Sequence, residues 1–426
     1  MGLKQFQIVF DNPLGTYYSG QTVSGRVILS INSPKKIRGI EIKIKGEANV
    51  EWTETESRKN EDGTSEEHTV YFTGSERYFE NAYYLVGGAH GDLTLPEGEH
   101  CYPFSYGLPP KLPSSFEGTH GHIRYTVKVK IDRPWKFDHE TKSAFTVLSP
   151  VDLNTHETAK SPVKQEVEKK FCCFCCESGP LTMVLALPVS GFVPGQDIPI
   201  TIEIDNASNV RVTDVACKLK KLITFISTSP YGSKREEEIM VGEAVFDGVE
   251  ANGCATLTRT LTVPPIPPSD LDNCDIIDLI YYLKVVAEVD GCHSNLKTSA
   301  PIIIGTIPLM TYQTAVGFEP IPSEMGVVPS IGDVGWSVPS GEAYPPPPYG
   351  GQADMNVPYP MPSAPVSEPN MPIHGPSAPF YPDIPPPSFQ ESVFGTKDIK
   401  DAEDNQYTQG NMNFVPRYPV YNFGMK

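Results

Sequence analysis

No run of 18 or more apolar residues occurs in this 426-residue chain, so no segment reads as a bilayer-crossing helix. The opening Met1-Gly2-Leu3-Lys4-Gln5-Phe6 lacks the apolar core of a secretory signal, and Phe6 stands where an N-myristoylation signal takes Ser or Thr. A cytoplasmic chain is expected. Positive charge is short: 34 Lys and Arg face 52 Asp and Glu, and a net charge of −18 repels phosphate backbones, so no nucleic-acid partner is expected. The nine cysteines are odd in number and four crowd into Cys172 to Cys176, a pattern of reduced thiols rather than of a secreted disulfide framework. Catalytic signatures are missing as well: there is no Gly-x-Ser-x-Gly elbow, no phosphate loop ending in Gly-Lys-Ser/Thr and no His-Glu-x-x-His. No catalytic residue, cofactor or metal ligand is nominated. His120-Gly121-His122 offers two metal ligands at most, and as turn residues beside Ser115-Phe116-Glu117-Gly118 the pair needs no metal.

The last part of the chain lacks more. Residues 311–396 contain no Lys or Arg and eight acids, and no leucine follows Leu309, while 22 of the 43 prolines fall in 311–426. Such a composition predicts a disordered, locally polyproline II tail over 306–426.

What is present before the tail is a period of two. Val23, Gly25, Val27, Leu29 and Ile31 alternate with polar residues, as do Tyr125, Val127, Val129 and Ile131, the pattern of half-buried strands. Turn signals such as Asn32-Ser33-Pro34 and Asp205-Asn206 separate the runs, and no long segment has a convincing helical period, so an all-β sandwich class is expected. The charged stretch 51–68 is expected as a long exposed hairpin loop. The body also repeats. Ser19-Gly20-Gln21 before Val23 recurs as Pro194-Gly195-Gln196 before Ile198, and Leu108-Pro109-Pro110 followed by Ile123-Arg124-Tyr125 recurs as Val263-Pro264-Pro265 followed by Ile280-Tyr281-Tyr282. Two copies of one sandwich are expected, at 1–150 and 178–305, joined by a linker over 151–177 that carries the cysteine cluster.

These residues resemble an arrestin, and specifically the arrestin domain-containing (alpha-arrestin) branch. The matching pieces are Ser19-Gly20-Gln21, Val50-Glu51-Trp52-Thr53-Glu54, Tyr102-Pro103-Phe104, Leu112-Pro113-Ser114-Ser115-Phe116-Glu117-Gly118, Ser178-Gly179-Pro180, and Cys274-Asp275-Ile276-Ile277 leading to Tyr281-Tyr282-Leu283. The resemblance implies two immunoglobulin-like β-sandwiches in tandem. It further implies a non-enzymatic adaptor between membrane receptor or transporter cargo, WW-domain HECT ubiquitin ligases and the endosomal (ESCRT) sorting machinery, cytoplasmic and peripheral at plasma membrane and endosomes. A leucine-free tail cannot hold the leucine-based clathrin box of beta-arrestins, which favours the alpha branch.

The tail motifs agree. Pro346-Pro347-Pro348-Tyr349 matches Pro-Pro-x-Tyr, in which two prolines preset a polyproline II ridge for an aromatic groove and Tyr enters a neighbouring pocket. Pro386-Pro387-Ser388-Phe389 looks like a weaker second WW ligand with Phe389 for tyrosine. Pro362-Ser363-Ala364-Pro365 and Pro376-Ser377-Ala378-Pro379 resemble the late-domain motif that docks on the ubiquitin-E2-variant domain of the ESCRT machinery; each is expected about 0.02 times by chance in this composition. The bland alternative is a repetitive spacer. Cys172, Cys173, Cys175 and Cys176, interleaved with Phe171 and Phe174 after Lys169-Lys170, are palmitate acceptors on one reading and a buried strand start on the other. Cys254 resembles the strand cysteine through which the thioredoxin-interacting relative forms a mixed disulfide, the redox alternative to the adaptor; a purely structural, retromer-like scaffold would need no Pro-Pro-x-Tyr.

Overall fold

The computed structural model describes residues 2–59, 65–173, 176–269, 271–310 and 386–423. The first sandwich is built from β1 (Leu3–Phe10), β2 (Thr16–Tyr18), β3 (Thr22–Ile31), β4 (Lys35–Ile37), β5 (Gly39–Lys59), β6 (Ser65–Gly87), β7 (Leu93–Leu95), β8 (Gly98–Gly107), β9 (Phe116–Glu117), β10 (Gly121–Asp132) and β11 (His139–Leu148). One of its sheets runs β1-β3-β8 and the other β2-β11-β10-β5-β6. The second sandwich uses β12 (Val163–Cys173), β13 (Cys176–Leu187), β14 (Gly191–Phe192), β15 (Asp197–Asn206), β16 (Val212–Ser227), β17 (Ser233–Val249), β18 (Gly253–Thr262), β19 (Ile277–Val289) and β20 (Leu296–Ile304), in sheets β12-β13-β15-β18 and β14-β20-β19-β16-β17.

The period-two runs become the core. In β3 the residues Val23, Val27, Leu29 and Ile31 are buried, and in β10 so are Ile123, Tyr125, Val127, Val129 and Ile131. Each such side chain contributes about 1.5–3 kcal/mol when fully buried, which is why a one-residue register slip is excluded. The internal repeat is geometric as well as sequential. Gly20 and Gly195 have φ of 82° and 87°, the left-handed region that glycine enters without a Cβ clash. The glutamine after each closes the turn: Gln21 Oε1 accepts the Tyr18 amide at 2.8 Å and Gln196 Oε1 the Val193 amide at 3.2 Å. Tyr125 Oη donates to the Pro113 carbonyl at 2.7 Å, and its counterpart Tyr281 Oη to Pro267 at 2.8 Å.

Three sequence expectations change. The linker 151–177 is largely part of the fold: Leu153–Thr155 is a 3₁₀ turn, Glu157–Lys160 a helical turn, and β12 is the first strand of the second sandwich. Its Lys- and Glu-rich face is the solvent side of an edge strand, where charge protects against pairing with other chains. The charged stretch 51–68 is mostly strand, β5 pairing with β6 from Glu51↔Thr73 out to Lys59↔Ser65; Trp52 and Phe72 are buried near its base, and beyond them the ladder continues from the core without apolar alternation. Finally, the tail is not uniformly disordered. Thr306, Ile307 and Leu309 are buried, and residues 386–423 form five short strands.

Candidate binding site and the segment that fills it

Three lysines stand side by side on the outer face of the first sandwich because the register demands it: Lys128 on β10 lies opposite Lys43 on β5 and opposite Lys142 on β11. Lys45, two residues along β5, extends the row on the same face. Like charges directly opposite across a sheet repel; Glu80, Glu47 and Glu140 of the same sheet pair with Lys43, Lys45 and Lys128 at 3.1, 2.7 and 3.0 Å, and the row, Lys142 above all, takes a further anionic partner.

The partner is the chain's own C-terminal segment. After β21 (Ser388–Glu391) and β22 (Lys397–Asp398), the turn at Asp401-Ala402-Glu403-Asp404 lies over the lysines before β23 (Thr408–Asn411), β24 (Asn413–Phe414) and β25 (Arg417–Val420). Lys142 Nζ reaches the Ile399 carbonyl at 3.0 Å, Asp401 Oδ2 at 2.5 Å and Asp404 Oδ2 at 2.9 Å. Lys128 Nζ reaches the Glu403 carbonyl at 2.6 Å, Asp404 Oδ1 at 3.0 Å and Glu140 at 3.0 Å. Lys43 and Lys45 meet Glu403 at 2.8 and 3.3 Å. The site is dry where it matters: the Lys142 and Asp404 side chains are 2% and 0% exposed. Hydrogen bonding from Lys43 first, helped by the Lys45 charge, holds the Glu403 carboxyl down at about 2. Burial pushes Asp404 up, but the Asp401 amide, Lys142 and Lys128 outweigh it, and its carboxyl stays below the ordinary value. The row thus has the chemistry of a trough for an acidic peptide, with a resident acidic peptide in it.

Other contacts strap the segment to both sandwiches. β23 pairs in parallel with the start of β11, Glu140↔Thr408 to Ser143↔Asn411, extending the sheet by an edge strand. Tyr418 Oη donates to the Ser115 carbonyl at 2.9 Å and Tyr421 Oη to Thr306 at 2.7 Å. The Tyr421 amide donates to Pro194 at 2.9 Å, beside Gly195, where any Cβ would lie 2.1 Å from the Tyr421 carbonyl oxygen. Phe394 lays its ring 3.2 Å from Lys221 Nζ, a lysine of β16 that is 1% exposed; burial pulls its pKa down to about 7, against a small opposing pull from Glu237.

Of the sequence-nominated residues, Pro346, Pro347, Tyr349 and both Pro-Ser-Ala-Pro copies lie outside the described residues. Phe389 does not: it is part of β21, which pairs with β25, and its ring meets Tyr18 edge-on at 6.5 Å. With Ser388 paired to Val420, Pro386-Pro387-Ser388-Phe389 is no free polyproline ligand in this state. Cys172, Cys173 and Cys176 belong to the β12–β13 hairpin, with Cys173 opposite Cys176 beside its turn; Phe174 and Cys175 lie outside the described residues. Cys254 is exposed on β18, so it is no core cysteine; that role belongs to Cys217, which burial pushes up to about 12. His120 stands edge-on to Phe225 at 5.6 Å in the contact between sandwiches, and among the described residues no three His, Cys, Asp or Glu converge on a metal site.

The lysine trough and its filler escaped sequence reading because Lys43 and Lys45 on β5 lie far in the chain from the β10–β11 pair that carries Lys128 and Lys142, and the filler lies farther still. The available signals were Lys43, Lys45, Lys128 and Lys142 at outward positions of period-two runs, and the absence of proline between Pro387 and Pro416.

Comparison with known proteins gives two family matches: the arrestin (or S-antigen) N-terminal domain over residues 6–154 and the arrestin (or S-antigen) C-terminal domain over residues 177–309. The chain is similar to arrestin domain-containing protein 17 of Caenorhabditis elegans, 29% identical over 451 residues, 98% of this chain and 99% of that one. It is also similar to human arrestin domain-containing protein 4, at 30% over 312 residues and 72% of each chain. Mouse arrestin domain-containing protein 1 is 28% identical over 338 residues, 79% of this chain and 70% of that one.

Proposed function

The chain belongs to the arrestin family, among its arrestin domain-containing members, and from that premise we propose that it is a non-enzymatic adaptor coupling membrane receptor or transporter cargo to WW-domain HECT ubiquitin ligases and to endosomal sorting. The observation that carries this reading is the way the chain is laid out: Pro346-Pro347-Pro348-Tyr349 and the two Pro-Ser-Ala-Pro copies fall between Leu309, buried in the second sandwich, and the docked segment that begins at Pro386. The motif-bearing stretch is therefore tied to the folded body at both ends. Pro346, Pro347 and Tyr349 recruit the ligase, while Pro362 to Pro365 and Pro376 to Pro379 engage the ubiquitin-E2-variant domain. Weak motifs on one tether gain effective concentration once cargo is held. Cargo with an acidic cytoplasmic segment fits the lysine trough, in competition with Asp401, Glu403 and Asp404. The cysteine cluster beside the turn of an edge hairpin suits palmitoylation and peripheral attachment at plasma membrane and endosomes.

The test is capture of WW-domain ligase by the full chain. Tyr349→Ala removes the residue that fills the tyrosine pocket and is expected to weaken capture at least tenfold, about 1.4 kcal/mol; unchanged capture rejects the assignment. The redox reading keeps one specific support, the exposure of Cys254. A thioredoxin lacking its resolving cysteine traps any such mixed disulfide, and no Cys254-dependent adduct is expected; a robust one replaces the adaptor reading.

A further inference from the structure

The loop at residues 133–138, joining β10 to β11, presents aromatics to water. Trp135 is 98% exposed and Phe137 67% exposed. Large aromatics so placed on a chain of net charge −18 are costly to leave wet unless something covers them.

The loop is built, not frayed. The Arg133 amide donates to Asp138 Oδ1 at 3.0 Å and Arg133 Nε to the Phe137 carbonyl at 2.9 Å, closing the turn across its base. Trp135 holds a left-handed φ of 61°, a conformation that costs a non-glycine residue about 1 kcal/mol and here aims the indole away from the body. Phe137 is steadied by the Tyr407 ring, 5.5 Å away.

The surroundings are cationic. Arg133 and Lys136 belong to the loop itself, and Lys35, Lys36 and Arg38 lie on or beside β4, tied to the loop base by the Arg38 amide donating to the Asp132 carbonyl at 2.8 Å. Burial first, then repulsion from Arg133 and Lys136, lowers the Lys35 pKa. Against them stand Asp132, paired with Arg38 at 3.3 Å, Asp138, engaged by the Arg133 amide, and the exposed Asp92. With Glu97, exposed beyond the other end of β7, five cations face four acids, so this end of the sandwich is net positive in a strongly acidic chain.

A bare indole and phenyl ring ringed by Lys and Arg is complementary to one partner above others, the surface of an anionic bilayer: the rings enter the headgroup boundary and the cations face lipid phosphates and carboxylates. We propose that the Trp135–Phe137 loop is a direct membrane contact that seats the first sandwich on anionic lipid. It goes beyond the adaptor reading, in which membrane attachment runs through cargo and the cysteine cluster and not through this loop.

The experiment uses the purified full chain with vesicles of phosphatidylcholine, alone or with phosphatidylserine, and contains no cargo, ligase or sorting protein, so its failure leaves the adaptor reading standing. The chain is expected to sediment with the phosphatidylserine vesicles, with tryptophan emission moving to shorter wavelength. Trp135→Ser with Phe137→Ser is expected to lower partitioning at least tenfold, and Lys136→Ala about fivefold, the effect of one basic residue near a charged surface. Both positions are exposed, and a circular dichroism spectrum matching wild type shows that the fold survives. Absence of binding to phosphatidylserine vesicles, or equal binding by the double variant, overturns the proposal. So does protection of Trp135 from acrylamide quenching by a soluble acidic peptide but by no vesicle, which assigns the loop to a protein partner.

Discussion

Changing Asp404 to Asn should release the C-terminal segment from the lysine trough. The replacement keeps the shape but removes the charge: the two carboxylate oxygens meet Lys142 at 2.9 Å and Lys128 at 3.0 Å, so the amide keeps an oxygen for one ammonium and turns its NH₂ toward the other. Lys142, 2% exposed, then retains Asp401 but loses one of two carboxylates, and Lys128 retains the Glu140 carboxylate and the Glu403 carbonyl. Breaking a buried charge pair costs about 3–5 kcal/mol, and the remaining carboxylates place this case at the lower end. About 3 kcal/mol corresponds to roughly a hundredfold shift in the docking equilibrium. Hydrogen exchange reads it directly, because the β23 amides that donate to β11 are protected only while the two strands pair; the Thr408 amide, which donates to the Asn405 carbonyl, is not among them. Their exchange is expected to accelerate by roughly a hundredfold in Asp404→Asn, while amides of β10 inside the sheet keep their wild-type rates. The control is Glu391→Gln, which breaks the exposed pair with Arg417 and should change exchange less than fivefold, a surface pair being worth about 1 kcal/mol or less. Wild-type protection of those β23 amides in Asp404→Asn refutes the electrostatic account of docking. The pH dependence has a fixed sign. Glu403 and Asp404 titrate lower when docked than when released, so their contribution is complete above an ordinary carboxylate pKa of about 4. It fades as pH falls toward about 2, the value set for Glu403.

Further outcomes follow from other contacts. Tyr418→Phe removes a buried hydroxyl and leaves the Ser115 carbonyl without that donor, so thermal or denaturant unfolding should show a loss of about 1 kcal/mol, with docking retained. Lys221→Met should stabilise the chain near pH 7 by about 1–4 kcal/mol, since a buried ion gives way to an apolar side chain. That advantage should shrink as pH rises from about 7 toward 10, because the folded pKa of Lys221 is about 7 and the unfolded one about 10.4; denaturant titrations at several pH values check it. In pull-down of the ubiquitin-E2-variant domain, Pro365→Ala or Pro379→Ala alone should reduce capture about twofold and the double change abolish it; full binding by the double variant makes these tetrapeptides spacer.

The sandwiches were legible because burial alternates with the strand period: Val23 to Ile31 and Tyr125 to Ile131 carry their inward faces openly, and the Gly20-Gln21 and Gly195-Gln196 turns mark the two copies. The docked segment was not, since its strands are two to four residues long and owe their form to what they lie on. Composition counted over the whole of 306–426 averaged a proline-rich stretch with a later one where Ile399, Tyr418 and Tyr421 are buried. Phe389 shows the same limit: after two prolines it resembles a ligand for another protein, yet here its ring lies on Tyr18. Local pattern reads faces of single strands, whereas the lysine trough exists only after three of them are in register.

The adaptor account is tested most directly by proximity labelling in cells, comparing the full chain with the same chain carrying Tyr349→Ala, Pro365→Ala and Pro379→Ala. The account predicts that WW-domain HECT ligases and endosomal-sorting subunits disappear from the labelled set while integral membrane proteins remain. Retention of those ligases and sorting subunits by the triple variant, or the absence of any membrane protein from the wild-type set, contradicts it.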